Sequence, residues 1–144
     1  MKKKPSRKSA GKPGDIIAIP LAAAGFAYGK RYRNCGLGVY DLITTTLADA
    51  SDVCSHEFWF HCCIFDNAIK SGKWKVIGSE AFADEETSWG PPMFHRDIIS
   101  GEYEIRHKGV HRAATAREIK GLDPEIMYFP AGLLQRIEAE REKG

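Results

Sequence analysis

Hydrophobic positions alternate along the first half of the chain and take on a helical spacing only near its end. Residues 15–21 are a β-branched run that predicts a first strand, and Pro20 puts its end at a sheet edge or bulge. Residues 22–25 make a turn. A second strand follows over 26–33, with Phe26, Tyr28 and Tyr32 on one face and Arg31 and Arg33 on the other. Asn34-Cys-Gly36 supplies the next turn and residues 37–43 a third strand, giving a β-meander. Residues 58–65 are the most apolar stretch, apolar on both faces, as suits a central strand covered from two sides. Asp66 then caps a short helix that stops at Gly72, and residues 74–78 return as a strand. Residues 80–92 are polar, acidic and proline-terminated, hence a loop, and 102–106 alternate as a half-buried strand.

The period then lengthens. Thr115-Ala-Arg-Glu118 has the form of a capping box and predicts a helix ending at Gly121. Asp123-Pro124 suits another short cap, and Leu133, Leu134 and Ile137 line one face of a last helix reaching about Arg141. Five or six strands followed by short helices make an α+β domain.

Charge divides this chain where hydropathy does not. The net charge of +2 is the sum of unlike parts. Residues 1–13 hold six basic groups and no acid, a tail with nothing apolar to anchor it, and are expected to be disordered. From Gly14 onward 15 basic residues face 19 acidic ones, so the single domain over 14–144 is acidic by four charges. Lys2, Lys3 and Lys4 ahead of the apolar run have the outline of a signal peptide, but Asp15 and Pro20 interrupt it, so a cytoplasmic protein is expected. No apolar run is long enough to span a membrane.

Candidate chemistry is sparse. His56, His61, Cys62 and Cys63 are close in sequence, yet strand alternation sends Cys62 to the face opposite His61 and Cys63. His95, His107 and His111 stand singly, so neither a metal nor a cofactor is expected. The four cysteines, irregularly spaced, read as reduced thiols, mostly buried. No nucleophile elbow, phosphate loop or dinucleotide fingerprint occurs, so an enzyme is not expected. Lys30, Arg31 and Arg33 interleave with Tyr28 and Tyr32, which leaves an alternative open: a small β-barrel module binding nucleic acid through its tail and second strand. The acidic body opposes that reading.

Four stretches in register resemble the immunity protein 26 family: Gly14-Asp-Ile-Ile-Ala-Ile-Pro-Leu21, Ala27-Tyr-Gly-Lys30, Gly38-Val-Tyr-Asp41 and Ala68-Ile-Lys-Ser-Gly-Lys-Trp-Lys-Val-Ile-Gly78. The resemblance implies a cytoplasmic, non-enzymatic protein encoded beside a toxin gene in a bacterial polymorphic toxin system, which binds and neutralises the cognate toxin. It implies scaffold roles for Gly14, Asp15, Pro20, Gly29, Trp74 and Gly78. The expected fold is a mainly antiparallel, strongly bent or barrel-like sheet with short C-terminal helices. Between residues 79 and 105 seven acids meet one base, Arg96. Such a surface would speed encounter with a basic partner such as a nuclease, so Glu80, Asp84, Glu85, Glu86 and Trp89 are the candidate toxin-binding residues.

Overall fold

The computed structural model describes residues 11–143. Its first sheet grows from the meander read in the sequence. Strands β1 (Asp15–Pro20), β2 (Phe26–Arg31) and β3 (Gly36–Tyr40) pair antiparallel in succession, and β4 (Phe58–Ile64) adds to β3. Strand β5 (Lys75–Ser79) returns to the outer side of β1 with a bulge between Ile16 and Ile17. Asn34 turns the chain between β2 and β3 with φ of 61°.

Both faces of this sheet are covered, which explains why β1 is apolar at successive positions. Ile17 and Ile19 join Leu37, Val39, Phe60, Cys62 and Trp74 in one core. Ile16 and Ala18 join Tyr28, Tyr40 and Val53 in the other. The first core is closed by α2 (Asn67–Lys70) and α3 (Pro130–Lys143), the second by α1 (Ala50–Val53). Pro130 opens α3, where a missing N–H costs nothing. Leu133 and Ile137 are wholly buried, with Leu134 packed beside them. No described helix is long and apolar enough to cross a membrane.

A second sheet, of order β8-β7-β6-β9, is built from β6 (Met93–Arg96), β7 (Tyr103–His107), β8 (Val110–Ala114) and β9 (Asp123–Pro124). Strand β10 (Met127–Tyr128) lies parallel to β4 at the edge of the first sheet. Residues 123–128 therefore belong to both sheets and tie them together. Asp123 reinforces the tie, its carboxylate accepting from the His61 backbone N–H at 2.8 Å.

The α+β class and mainly antiparallel pairing hold, with the strands divided between two open sheets rather than closed into a barrel. Two expectations for the C-terminal half are corrected. The capping box at Thr115 forms both reciprocal bonds, at 2.9 and 3.2 Å, but only turns follow it. Residues 115–121 have no buried side chain, so nothing offsets the cost of nucleating a helix. Asp123-Pro124 starts a strand rather than a helix, at a sheet edge where proline is tolerated. Strand β8 was invisible because it has no apolar alternation; its pairing is set instead by the Lys108-Gly109 turn, both residues at positive φ (59° and 78°).

The cysteine expectation is also corrected. Cys35 and Cys63 form a disulfide, their Cα atoms 4.8 Å apart, while Cys54 and Cys62 are free. Gly36 lies opposite Cys63 in the β3–β4 register, which brings the preceding Cys35 alongside. Residues 1–10 of the basic tail lie outside the described residues. Of residues 11–13, grouped with the tail by charge, Gly11 is buried, while Lys12 and Pro13 are exposed and the Lys12 backbone bonds to the backbone and side chain of Asp15, each at 2.9 Å.

Candidate interaction surface

The acid-rich segment over residues 79–90 is a strap laid across the body, fastened at successive points. Glu80 accepts from Lys30 Nζ at 2.9 Å, and its own N–H donates to the Gly14 carbonyl at 2.8 Å. Phe82 packs against Tyr32 and beneath the Lys30 ammonium, 4.4 Å away. Asp84 accepts from the Thr87 N–H at 2.9 Å and sets up a 3₁₀ turn, Glu86–Trp89. Glu85 accepts from Arg33 at 3.1 Å and Glu86 from Lys108 at 2.5 Å. Arg33 also donates to Ser88 Oγ at 2.9 Å and stacks on Trp89, 5.0 Å from its ring centre. Trp89 is half-buried, not a free anchor.

The strap therefore carries its negative charge largely matched. Glu80, Glu85 and Glu86 each have a basic partner, which local sequence could not reveal because the partners lie 50, 52 and 22 residues away. Asp97 and Glu102 have no ion-pair partner among the described residues. Backbone N–H groups of Ile99 and Ser100 hold the Asp97 carboxyl below its usual range.

The same contacts remove the basic face proposed for the second strand. Lys30 and Arg31 are 7% and 5% exposed. Arg31 donates to the carbonyls of Gly11, Gly36 and Asn34 at 3.1, 2.8 and 3.1 Å. With Arg33 paired to Glu85, strand β2 offers no row of free cations to a phosphate backbone. Tyr28 and Tyr32 are buried, so they offer no stacking platform.

Of the residues expected to serve as scaffold, the three glycines fall at close approaches. Gly14 has φ of +94°, and a Cβ there would stand 3.0 Å from the Glu80 carbonyl oxygen under which the strap begins. A Cβ at Gly29 would stand 2.8 Å from Leu37 Cδ1 across the β2–β3 pair. Gly78 lies against Ala50 of α1. Asp15 is buried against Lys12, Pro20 ends β1 in the open, and Trp74 fills the first core.

Burial pushes the Cys62 thiol up to about 12 and raises Cys54 as well, the opposite of nucleophile activation. His61 sits in an aromatic cluster with Tyr32 and Phe58, its pKa lowered by burial and partly restored by Asp123. Among the described residues no three His, Cys, Asp or Glu side chains are grouped to hold a metal. A cavity of about 200 Å³ opens at the seam of the sheets beside Trp89, Cys35 and Cys63. The arginines on its wall are already matched, Arg33 to Glu85 and Arg106 to Glu104 and Glu125.

No curated protein and no solved structure matches the chain. The family model of Immunity protein 26 matches residues 12–104, from the Lys12–Asp15 contact through strands β1 to β5 and the strap into β7. That span is well over half of the sequence and contains all four stretches that carry the resemblance, so the chain belongs to the immunity protein 26 family.

Proposed function

We propose that this immunity protein acts by direct, non-catalytic binding of a cognate polymorphic toxin in the cytoplasm of the cell that makes it. The family match over residues 12–104 carries this reading. Its support is the chemistry of the molecule: free thiols deactivated by burial, and an acidic strap whose outer carboxylates, Glu85 and Glu86, have side chains 76% and 60% exposed. With Glu80, Asp84 and the half-buried Trp89 they form a surface suited to a basic toxin, a nuclease being the prime example. Each exposed ion pair contributes only about 0.2–1 kcal/mol, so Arg33 and Lys108 can be surrendered to a partner at little cost.

Co-expression with the product of the adjacent toxin gene tests this. Growth is expected to be restored by the wild-type chain and impaired when Asp84, Glu85 and Glu86 are all changed to Lys. Intact protection by that variant would remove the strap from the toxin interface. No protection by the wild-type chain would refute the function.

A further inference from the structure

The hairpin joining β6 to β7 presents Ile98 and Ile99, each 96% exposed, side by side at its tip. Two adjacent, almost fully exposed isoleucines are unlike scattered surface apolar groups, since each leaves nearly its whole side chain in water. The tip holding them is tightly bonded. Asp97 Oδ1 accepts from the N–H groups of Ile99 and Ser100 at 2.8 and 3.2 Å. The Asp97 N–H donates to the Glu102 carbonyl, and the Gly101 N–H to the Asp97 carbonyl, both at 2.8 Å. Ser100 Oγ accepts from the Glu102 N–H at 3.2 Å, and Arg96 lies over Tyr103 while donating to the Gly101 carbonyl at 3.2 Å. The backbone that carries the isoleucines is thus bonded in place before any partner arrives, which lowers the ordering cost of binding.

We infer that this tip is the apolar anchor by which the protein engages its toxin, Ile98 and Ile99 entering an apolar recess that basic groups border. The inference rests on the immunity reading and adds the residues of contact. Charge argues for the kind of partner: Asp97 and Glu102 flank the isoleucines and make no ion pair among the described residues, while the neighbouring Arg96 is turned to the Gly101 carbonyl and the Tyr103 ring. A pair of carboxylates beside the knob disfavours an anionic bilayer and favours a recess rimmed by Lys or Arg. The tip precedes β7 and Lys108 follows it, so tip and strap lie at opposite ends of a strand of five residues, about 17 Å apart. An interface of ordinary size, about 800 Å² a side, spans that distance.

The test uses the full-length chain and the purified product of the adjacent toxin gene, with affinity measured by calorimetry. Ile98→Ser combined with Ile99→Ser is expected to raise Kd by about 100-fold or more. Its thermal unfolding should match the wild type, because the side chains removed touch almost nothing. Glu102→Lys is expected to slow association at low salt. Wild-type affinity in the double variant would overturn the inference while leaving the immunity function standing. If the wild-type chain itself fails to bind, function and inference fall together. Concentration-dependent dimerisation, or sedimentation with phosphatidylcholine–phosphatidylserine vesicles, abolished by the same double substitution would also overturn it, by assigning the knob to a second copy or to a membrane.

Discussion

Arg31 holds its guanidinium inside the fold with three backbone carbonyls for partners and no carboxylate bonded to it. Burial lowers its pKa, and the distant charges of Asp66 and Asp15 act against that shift. Arg31→Ala should destabilise the protein by about 3 kcal/mol in urea unfolding, because buried acceptors on Gly11, Asn34 and Gly36 lose their donor together. Arg31→Lys should recover only part of this, since one ammonium cannot reproduce the fork. His61 supplies a pH test. Its pKa is lowered in the folded state, so the unfolded chain binds the proton first. The contribution is complete above the ordinary value of 6.5 and is lost as pH falls through the folded value. The urea midpoint should drop between pH 7.5 and 5.5 in the wild type, and drop less in His61→Gln. The sequence told correctly which way Tyr28, Lys30 and Arg31 alternate. It did not tell that both faces are covered, because Gly11 and the strap arrive from outside the strand.

Elements were legible where an apolar face recurs and obscure where pairing is set by backbone alone. Strands β1 to β5 and the last helix follow their hydrophobic pattern to within a few residues. Leu133→Ala or Ile137→Ala should each cost about 2–5 kcal/mol, against less than about 0.5 kcal/mol for a polar change at exposed Ala139, in the same unfolding assay. Strand β8 and the turns after Thr115 show the converse. Val110, His111, Arg112 and Ala113 are exposed and carry no alternation, yet they pair with β7 through a hairpin turn. The capping box is locally complete without a helix to cap, so a start signal alone does not decide an element.

At the scale of the whole molecule, three connections absent from any local pattern define the shape: the strap, the double-edged segment over residues 123–128, and the Cys35–Cys63 bond. The last makes a direct prediction. Alkylation of the denatured, unreduced protein should modify two cysteines, Cys54 and Cys62, and all four only after reduction. The acid count between residues 79 and 105 does not reveal the electrostatics, since long-range partners pair Glu80, Glu85 and Glu86 while Asp97 and Glu102 make no ion pair among the described residues. The exposed isoleucines were equally hidden, because an Ile-Ile pair in a sequence reads as core until the fold leaves it outside.

Direct neutralisation is decided by size-exclusion chromatography with light scattering of the chain mixed with its neighbouring toxin. A complex of defined stoichiometry is expected to persist at low micromolar concentration, with the toxin in it inactive. Separate elution of the two proteins, with toxin activity undiminished, would contradict it.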